Sequence, residues 1–207
     1  VPRDPYAHLY MLCRGLTHGA LVLCAIFFFI LQPQMAKPRE AKAKCLIHAD
    51  ALVCADAKFI GGEGTVIHPA CTIDAQNGPI EFGKYNIIEE QVEIVNPNTA
   101  PLVIGDHNLF EVGVQMRGGG GVGNANVFEC RSVIGDDCYI GDGNSLQSGT
   151  ALEAGTNLAS EMVMTKDPQF IRTEVGATTA HKESIIKHVE ILKHTLPRCH
   201  NLKNSSK

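Results

Sequence analysis

Large apolar residues recur at every sixth position along the second half of the chain: Ile104, Phe110, Met116, Val122, Phe128, Ile134, Ile140, Leu146, Leu152, Leu158, Met164 and Phe170. With 44% hydrophobic residues overall, an unbroken run of this kind in the best of six phases has a chance probability on the order of 10⁻⁴. A period of six is neither the 3.6 of a helix nor the alternation of a meander. It predicts one inward aliphatic per short strand, a turn between strands, and three strands per coil, which is the hexapeptide signature of a parallel β-helix. Gly105, Gly123, Gly135 and Gly141 follow the apolar positions directly and are expected to turn the corners. Four residues after each apolar position stand small or turn-tolerant residues such as Asn108, Gly120, Asn126, Ser132, Cys138, Asn144, Thr150 and Thr156, with Val114 the largest. These share the inner face with the next aliphatic and are expected to be small in order to fit beside the corner.

The first half follows the same rule with interruptions. Ile47 and Val53 are six apart, as are Ile67 and Ile73, and Phe82, Ile88 and Ile94 continue the series. The phase slips between Val53 and Ile67, where Ile60 stands seven from each. Residues 75–79 and 95–101, rich in Asn, Gly and Pro, read as insertions at corners. Coils of three hexads stacked ~4.8 Å apart predict six or seven coils over residues 45–172, a prism roughly 30 Å long. Beyond Phe170 the period changes. Ile185, Val189, Leu192 and Leu196, widened by Ile186, fall at helical spacing within residues 178–196. This predicts a C-terminal amphipathic helix packed on a prism face, with Thr178 or Thr179 as cap, Pro197 at its end and residues 197–207 as a tail. The fold class expected is an all-β solenoid, a left-handed parallel β-helix with one C-terminal α-helix.

Composition narrows the function more than the fold. The net charge is −4, from 18 Lys and Arg against 22 Asp and Glu, which argues against a nucleic-acid partner. Low aromatic content, 6% with no Trp, suits a thin, regular core. The eight cysteines (13, 24, 45, 54, 71, 130, 138 and 199) show no C-x-x-C spacing, so they argue against a structural zinc site and fit scattered reduced thiols. The apolar run of residues 20–31 is shorter than the ~20 residues of a membrane span. Met35 opens a polar stretch typical of a cytosolic N-terminus, so residues 1–34 are expected to be upstream sequence or a non-structural leader.

Several strings carry a family resemblance. TVIHP (65–69), NIIEEQ (86–91), NLFEVG (108–113), NVFEC (126–130) and the ending LPRCHNLK (196–203) resemble the dynactin subunit 6 family over residues 47–203. The stretch between Val53 and Ile67 is about one hexad short of that family's pattern. The resemblance implies a cytoplasmic, cytoskeleton-associated β-helix that pairs with dynactin subunit 5. It also implies contact with dynactin subunit 4 and the pointed-end actin-related protein, and service to cytoplasmic dynein as a non-catalytic building block without cofactor or small-molecule substrate.

Chemistry offers a rival. Hexapeptide β-helices include acyltransferases with a His general base and γ-class carbonic anhydrases with three zinc-binding His. His48 and His68 each follow an inward aliphatic and are expected to stack on adjacent coils, whereas His107 occupies a different place in its hexad and is expected to point elsewhere. Zinc catalysis requires a third ligand and an open position; a general base requires a bound substrate. His181, His188 and His194 fall on the predicted helix, in solvated or capping roles. The four glycines 118–121 lack the Lys-Ser/Thr of a phosphate loop and are expected to build a corner. Glu89, Glu90, Gln91 and Glu93, with Glu111 a coil further on, form an acidic patch. It is read as a solvated face or as a surface for a partner subunit.

Overall fold

The computed structural model describes residues 45–53, 59–118, 120–167 and 171–199, all within one compact unit of residues Lys42–Lys207. Residues 1–34, expected to be a leader or upstream sequence, Phe170 and residues 200–207 lie outside the described residues. Among the described residues twenty short strands stack into three sheets, the faces of a prism. Face one carries Leu46–Ile47, Val66–Ile67, Ile87–Ile88, Leu109–Phe110, Val127–Phe128, Ser145–Leu146 and Met162–Met164 in parallel, closed by antiparallel Arg172–Thr173. Face two runs from Leu52–Val53 to Ala151–Leu152 and face three from Phe59–Ile60 to Asn157–Leu158, with six strands each. Up to Met162–Met164 consecutive strands lie on different faces, so every parallel neighbour is one full coil away in sequence; the closing antiparallel strand returns to the same face. This is the left-handed parallel β-helix the hexads predict.

The period-six residues fill the interior. Ile67, Ile88, Phe110, Phe128 and Leu146 form one stack, Ile73, Ile94, Met116, Ile134 and Leu152 a second, and Ile104, Val122, Ile140 and Leu158 a third, all buried. The rings of Phe110 and Phe128 lie 4.7 Å apart, one coil on the next. The strands after the two insertions, Ile80–Phe82 and Leu102–Ile104, are a residue longer and turn both ends inward, so Ile80 and Leu102 join the core. Where the phase slips, Ile60 pairs with Glu81 rather than with an inward residue and is 57% exposed. Strand alternation therefore places it outside the core series.

Two corner expectations need correction. The residue that turns each corner is the third after the aliphatic. Ala70, Tyr85, Gln91, His107, Ala125, Arg131, Asp137 and Glu161 all hold φ between 55° and 60° there, and Gly113, Gly149 and Gly155 fill the equivalent places. The glycine directly after the aliphatic has no positive φ and serves a different need, close approach. A Cβ on Gly105 would lie 2.6 Å from the carbonyl oxygen of Gly123 in the next coil.

The small inner residues after the face-three corner do more than save space. Asn86, Asn108, Asn126 and Asn144 are fully buried and form a ladder along the prism. Each Oδ1 accepts both the backbone N–H and the Nδ2–H of the asparagine one coil on: 2.9 and 3.1 Å from Asn108 to Asn86, 2.9 and 3.0 Å from Asn126 to Asn108, and 2.8 and 3.0 Å from Asn144 to Asn126. The remaining amide hydrogens of Asn86 and Asn108 reach the carbonyls of Gly105 and Gly123. A second ladder runs beside it on the outside. Asp106 accepts from the N–H of Lys84, Asn124 from that of Asp106, Asp142 from that of Asn124 and Ser160 from that of Asp142.

Helix α1 spans Ala177–Cys199 and lies over this corner. Its buried Ile185 and Val189, with Leu192, pack on Ile87, Tyr85 and Leu109 of face one. His181 Nδ1 meets the carbonyl of Ala125 at 3.0 Å, and Lys193 Nζ sits 4.9 Å from the centre of the Tyr85 ring. Neither Thr178 nor Thr179 caps the helix from outside. Thr178 lies in the first turn and donates to Glu161, whose carboxylate also accepts the N–H of Gly176. Pro197 stands inside the last turn rather than ending the helix, since buried Leu196 holds that turn in place and proline removes only one N–H. Among the described residues no helix is long and apolar enough to cross a membrane.

The ladder sets a stability contrast. Asn126→Ala leaves the N–H and Nδ2–H of Asn144 without their acceptor, and should cost about 3 kcal/mol in urea unfolding. Ser132→Ala removes a buried hydroxyl that has no hydrogen-bond partner and should cost less than about 0.5 kcal/mol. Equal losses for the two variants would contradict the ladder's role.

Candidate functional site: an acidic corner between faces one and two

Face one ends at Ile88, and the chain turns through Glu89, Glu90 and Gln91 before entering face two at Glu93–Val95. The turn is made by Gln91, exposed, at φ 60°. Phe110 pairs in register with Ile88, which puts Glu111 one coil above Glu89; Phe128 pairs with Phe110, which adds Glu129 a coil further. The corner thus gathers Glu89, Glu90, Gln91 and Glu111 and extends to Glu129, which the sequence reading left out. Glu93 is separate. It points outward on face two, in register with Thr72 and Gln115.

These carboxylates have structural duties. Glu111 Oε2 accepts the N–H of Cys130 at 3.0 Å and its thiol at 3.2 Å. Glu129 Oε2 accepts the N–H of Ser148 at 3.1 Å. Each thereby caps an amide at the corner of the coil above, a third ladder along the prism. Burial pushes the Glu89 carboxyl above the usual range, the neighbouring Glu111 charge pushes it further, and His68 opposes both. The same carboxylate on Glu111 raises the Cys130 thiol, which must stay protonated to donate. Burial pushes the thiols of Cys45 and Cys71 up to about 11, so both behave as small apolar groups rather than nucleophiles.

The histidines do not converge. Ile47 pairs with Ile67, so His48 and His68 occupy the same corner on adjacent coils. His48 Nδ1 accepts the N–H of Asp50 at 3.1 Å. His68 Nδ1 lies 3.1 Å from Glu90 Oε1. A carboxylate orienting an imidazole is the arrangement of a general base, but His68 Nε2, which would take the proton, is buried and faces no partner. His107 is at the other end of face one, stacked on Tyr85 at 5.4 Å beside α1, and burial lowers its pKa. Among the described residues no group of three His, Cys, Asp or Glu is placed to hold a metal ion. A shallow surface depression lies across the prism on face three. Its lining, which includes Val103, Gly121, Tyr139 and Ser160, contains no His, carboxylate or thiol.

The raised Glu89 carboxyl fixes a pH dependence. Its folded state binds a proton more readily than its unfolded state, so this group's contribution to stability falls as pH rises from 4.5 through the folded value. Glu89→Gln keeps the acceptor without the charge. It should flatten that slope and raise the Tm at pH 7 relative to the unmodified chain, by calorimetry at pH 5 and 7. A slope unchanged by the substitution would remove Glu89 as its source.

No protein-family model matches the chain. Dynactin subunit 6 of Caenorhabditis elegans is 34% identical over 167 residues, covering 78% of this chain and 89% of the relative. Its Dictyostelium discoideum counterpart is 35% identical over 167 residues, covering 75% and 86%, and that of Nematostella vectensis 29% over 188 residues, covering 84% and 100%. Among solved structures, a hexapeptide transferase family protein from Anaplasma phagocytophilum superposes with a TM-score of 0.59 at 17% identity, covering 75% of this chain and 95% of its own. A proposed acetyltransferase from Bacillus cereus gives 0.55 at 15% identity, covering 72% and 90%. At such identities the likeness to the transferases is one of fold alone.

Proposed function

The chain belongs to the dynactin subunit 6 family, and from that membership we propose that it is a non-catalytic structural subunit of dynactin's pointed-end complex. In this reading it pairs with dynactin subunit 5 and contacts dynactin subunit 4 and the pointed-end actin-related protein. Through that assembly it serves dynein-driven transport and cargo recognition in the cytoplasm, at the cytoskeleton. The observation that carries the proposal is identity above 30% along most of the length of two dynactin subunits.

The site's geometry supports a scaffold over an enzyme. His68 has an orienting carboxylate but a buried Nε2, and His107 belongs to a different corner. A general base must reach a bound hydroxyl or amine, and neither imidazole lines the face-three depression. The proposed partner surface is the acidic corner: Glu89, Glu90 and Gln91 with Glu111, flanked on face two by exposed Glu93. A basic partner strip could answer it, adding to association rate and orientation more than to affinity.

Affinity purification of the tagged chain from its own cells tests the assignment. Subunit 5 and the actin-related filament should co-purify at constant stoichiometry. Glu90→Lys combined with Glu93→Lys should weaken that recovery several-fold while thermal stability stays within a few degrees. Recovery instead as a free homotrimer that turns over acyl-CoA would establish the transferase reading.

A further inference from the structure

Face one is apolar on both sides. Its inward residues fill the prism, and its outward column reads Leu46, Val66, Ile87, Leu109 and Val127, each paired in register with the next. The matching columns of faces two and three each carry a glutamate, Glu93 and Glu81. A parallel sheet that is apolar on both sides needs a layer over each. Helix α1 supplies the outer layer, and Val66 and Ile87 are fully buried.

That layer is separable from the prism. The apolar contacts of α1, Ile185, Val189 and Leu192 on Tyr85, Ile87 and Leu109, form a cluster that shares no residue with the one filling the interior. Lifting α1 uncovers the outer side of face one and leaves the stacks through Ile88 and Phe110, and the asparagine ladder, as they are. Its polar ties are ones that water can replace: Thr178 to Glu161, His181 to the Ala125 carbonyl, and Lys193 over the Tyr85 ring. The chain leading into α1 is exposed from Ile171 through Gly176. Gly176 has φ +88°, and nothing lies within 4 Å of where its Cβ would stand. Glycine takes either sign of φ at little cost, so the backbone can pivot where the helix begins.

We propose that α1 is a hinged cover, which leaves face one as a unit about Gly176 while the prism stays wound and so opens a strip for an amphipathic helix of a partner. The helix now seated there sets the chemistry of that occupant. It carries aliphatic side chains at the spacing of Ile185, Val189, Leu192 and Leu196, and a cation in the place of Lys193 to meet the Tyr85 ring. Such a helix and α1 compete for one strip, so binding in trans follows release in cis. Elements that move are drawn from the least stable part of a fold. Of the described side chains of this 23-residue helix, Ala177, Ile185, Val189 and Leu196 are the buried ones. None of this depends on the acidic corner or on the dynactin assignment.

Hydrogen exchange of the full chain, read residue by residue, tests the cover. The amides of α1 from Ile185 to Lys193 should share one opening equilibrium, about 100-fold more open than that of the Asn108, Asn126 and Asn144 amides, with a smaller denaturant dependence. Val189→Asp should remove the protection of α1 and leave that of the three asparagines. The same variant should bind a fluorescein-labelled peptide of residues 177–199 about tenfold more tightly than the native chain does, because α1 in cis competes at a high effective concentration. Exchange of α1 at the rate of the asparagine amides overturns the proposal, and so does residue-by-residue fraying from Cys199. A V189D chain that loses the asparagine protection, or keeps it and binds the peptide no better than the native chain, overturns it as well.

Discussion

The asparagine ladder through Asn86, Asn108, Asn126 and Asn144 is the constraint on which the prism depends. A stack of aliphatic side chains is non-directional. By itself it would tolerate coils that slide or rotate by a residue, since burying the same area does not depend on register. A buried amide that must find its acceptor does depend on it. Each rung joins one side-chain oxygen to two hydrogens of the next coil, and a coil out of place would strand both in an apolar interior. The outer ladder of Asp106, Asn124, Asp142 and Ser160 repeats the lock on the solvent side of the same corner. That is also the corner on which α1 rests.

With one corner fixed by amides and another by the carboxylates of Glu111 and Glu129, the faces become rigid platforms of regular pitch. The surfaces then divide. Face one is covered by Ile185, Val189 and Leu192 of α1. The acidic corner keeps charge in water, and face three exposes Ile60, Val103 and Tyr139 beside a shallow depression. An enzyme on this scaffold would need a base with an open nitrogen facing a cleft. This chain has turned its best-oriented imidazole, His68, inward.

Much of this was legible in the sequence, because period six has one physical meaning when the inward residues are aliphatic. The coil number and the stacks follow from it, and the apolar stripe of the helix follows from the switch to helical spacing at Ile185, Val189, Leu192 and Leu196. The corner chemistry was less legible. Residues 105–108, 123–126 and 141–144 repeat a Gly-Asx-x-Asn string every eighteen residues, the ladder's signature. A six-residue frame mixes these asparagines with Val114 and Ser132 at the other corners, where size alone matters. Glycine after the aliphatic suggested a turn, yet the positive φ falls two residues later, on side chains as large as Tyr85 and Arg131. Ile60 misled because a one-residue shift reverses which side of a strand faces the core. In the acidic patch the sequence showed charge but not its distribution: Glu129 joins the corner through register and Glu93 leaves it through alternation.

Amide hydrogen exchange measured residue by residue in the folded chain tests the central claim directly. If the ladder locks the coils, the N–H groups of Asn108, Asn126 and Asn144 should exchange only through global unfolding, with protection equal to the full unfolding free energy. Those of the first coil, at Leu46 and Leu52, should open locally and exchange faster. Exchange of the three asparagine amides by local opening, at first-coil rates, would contradict it.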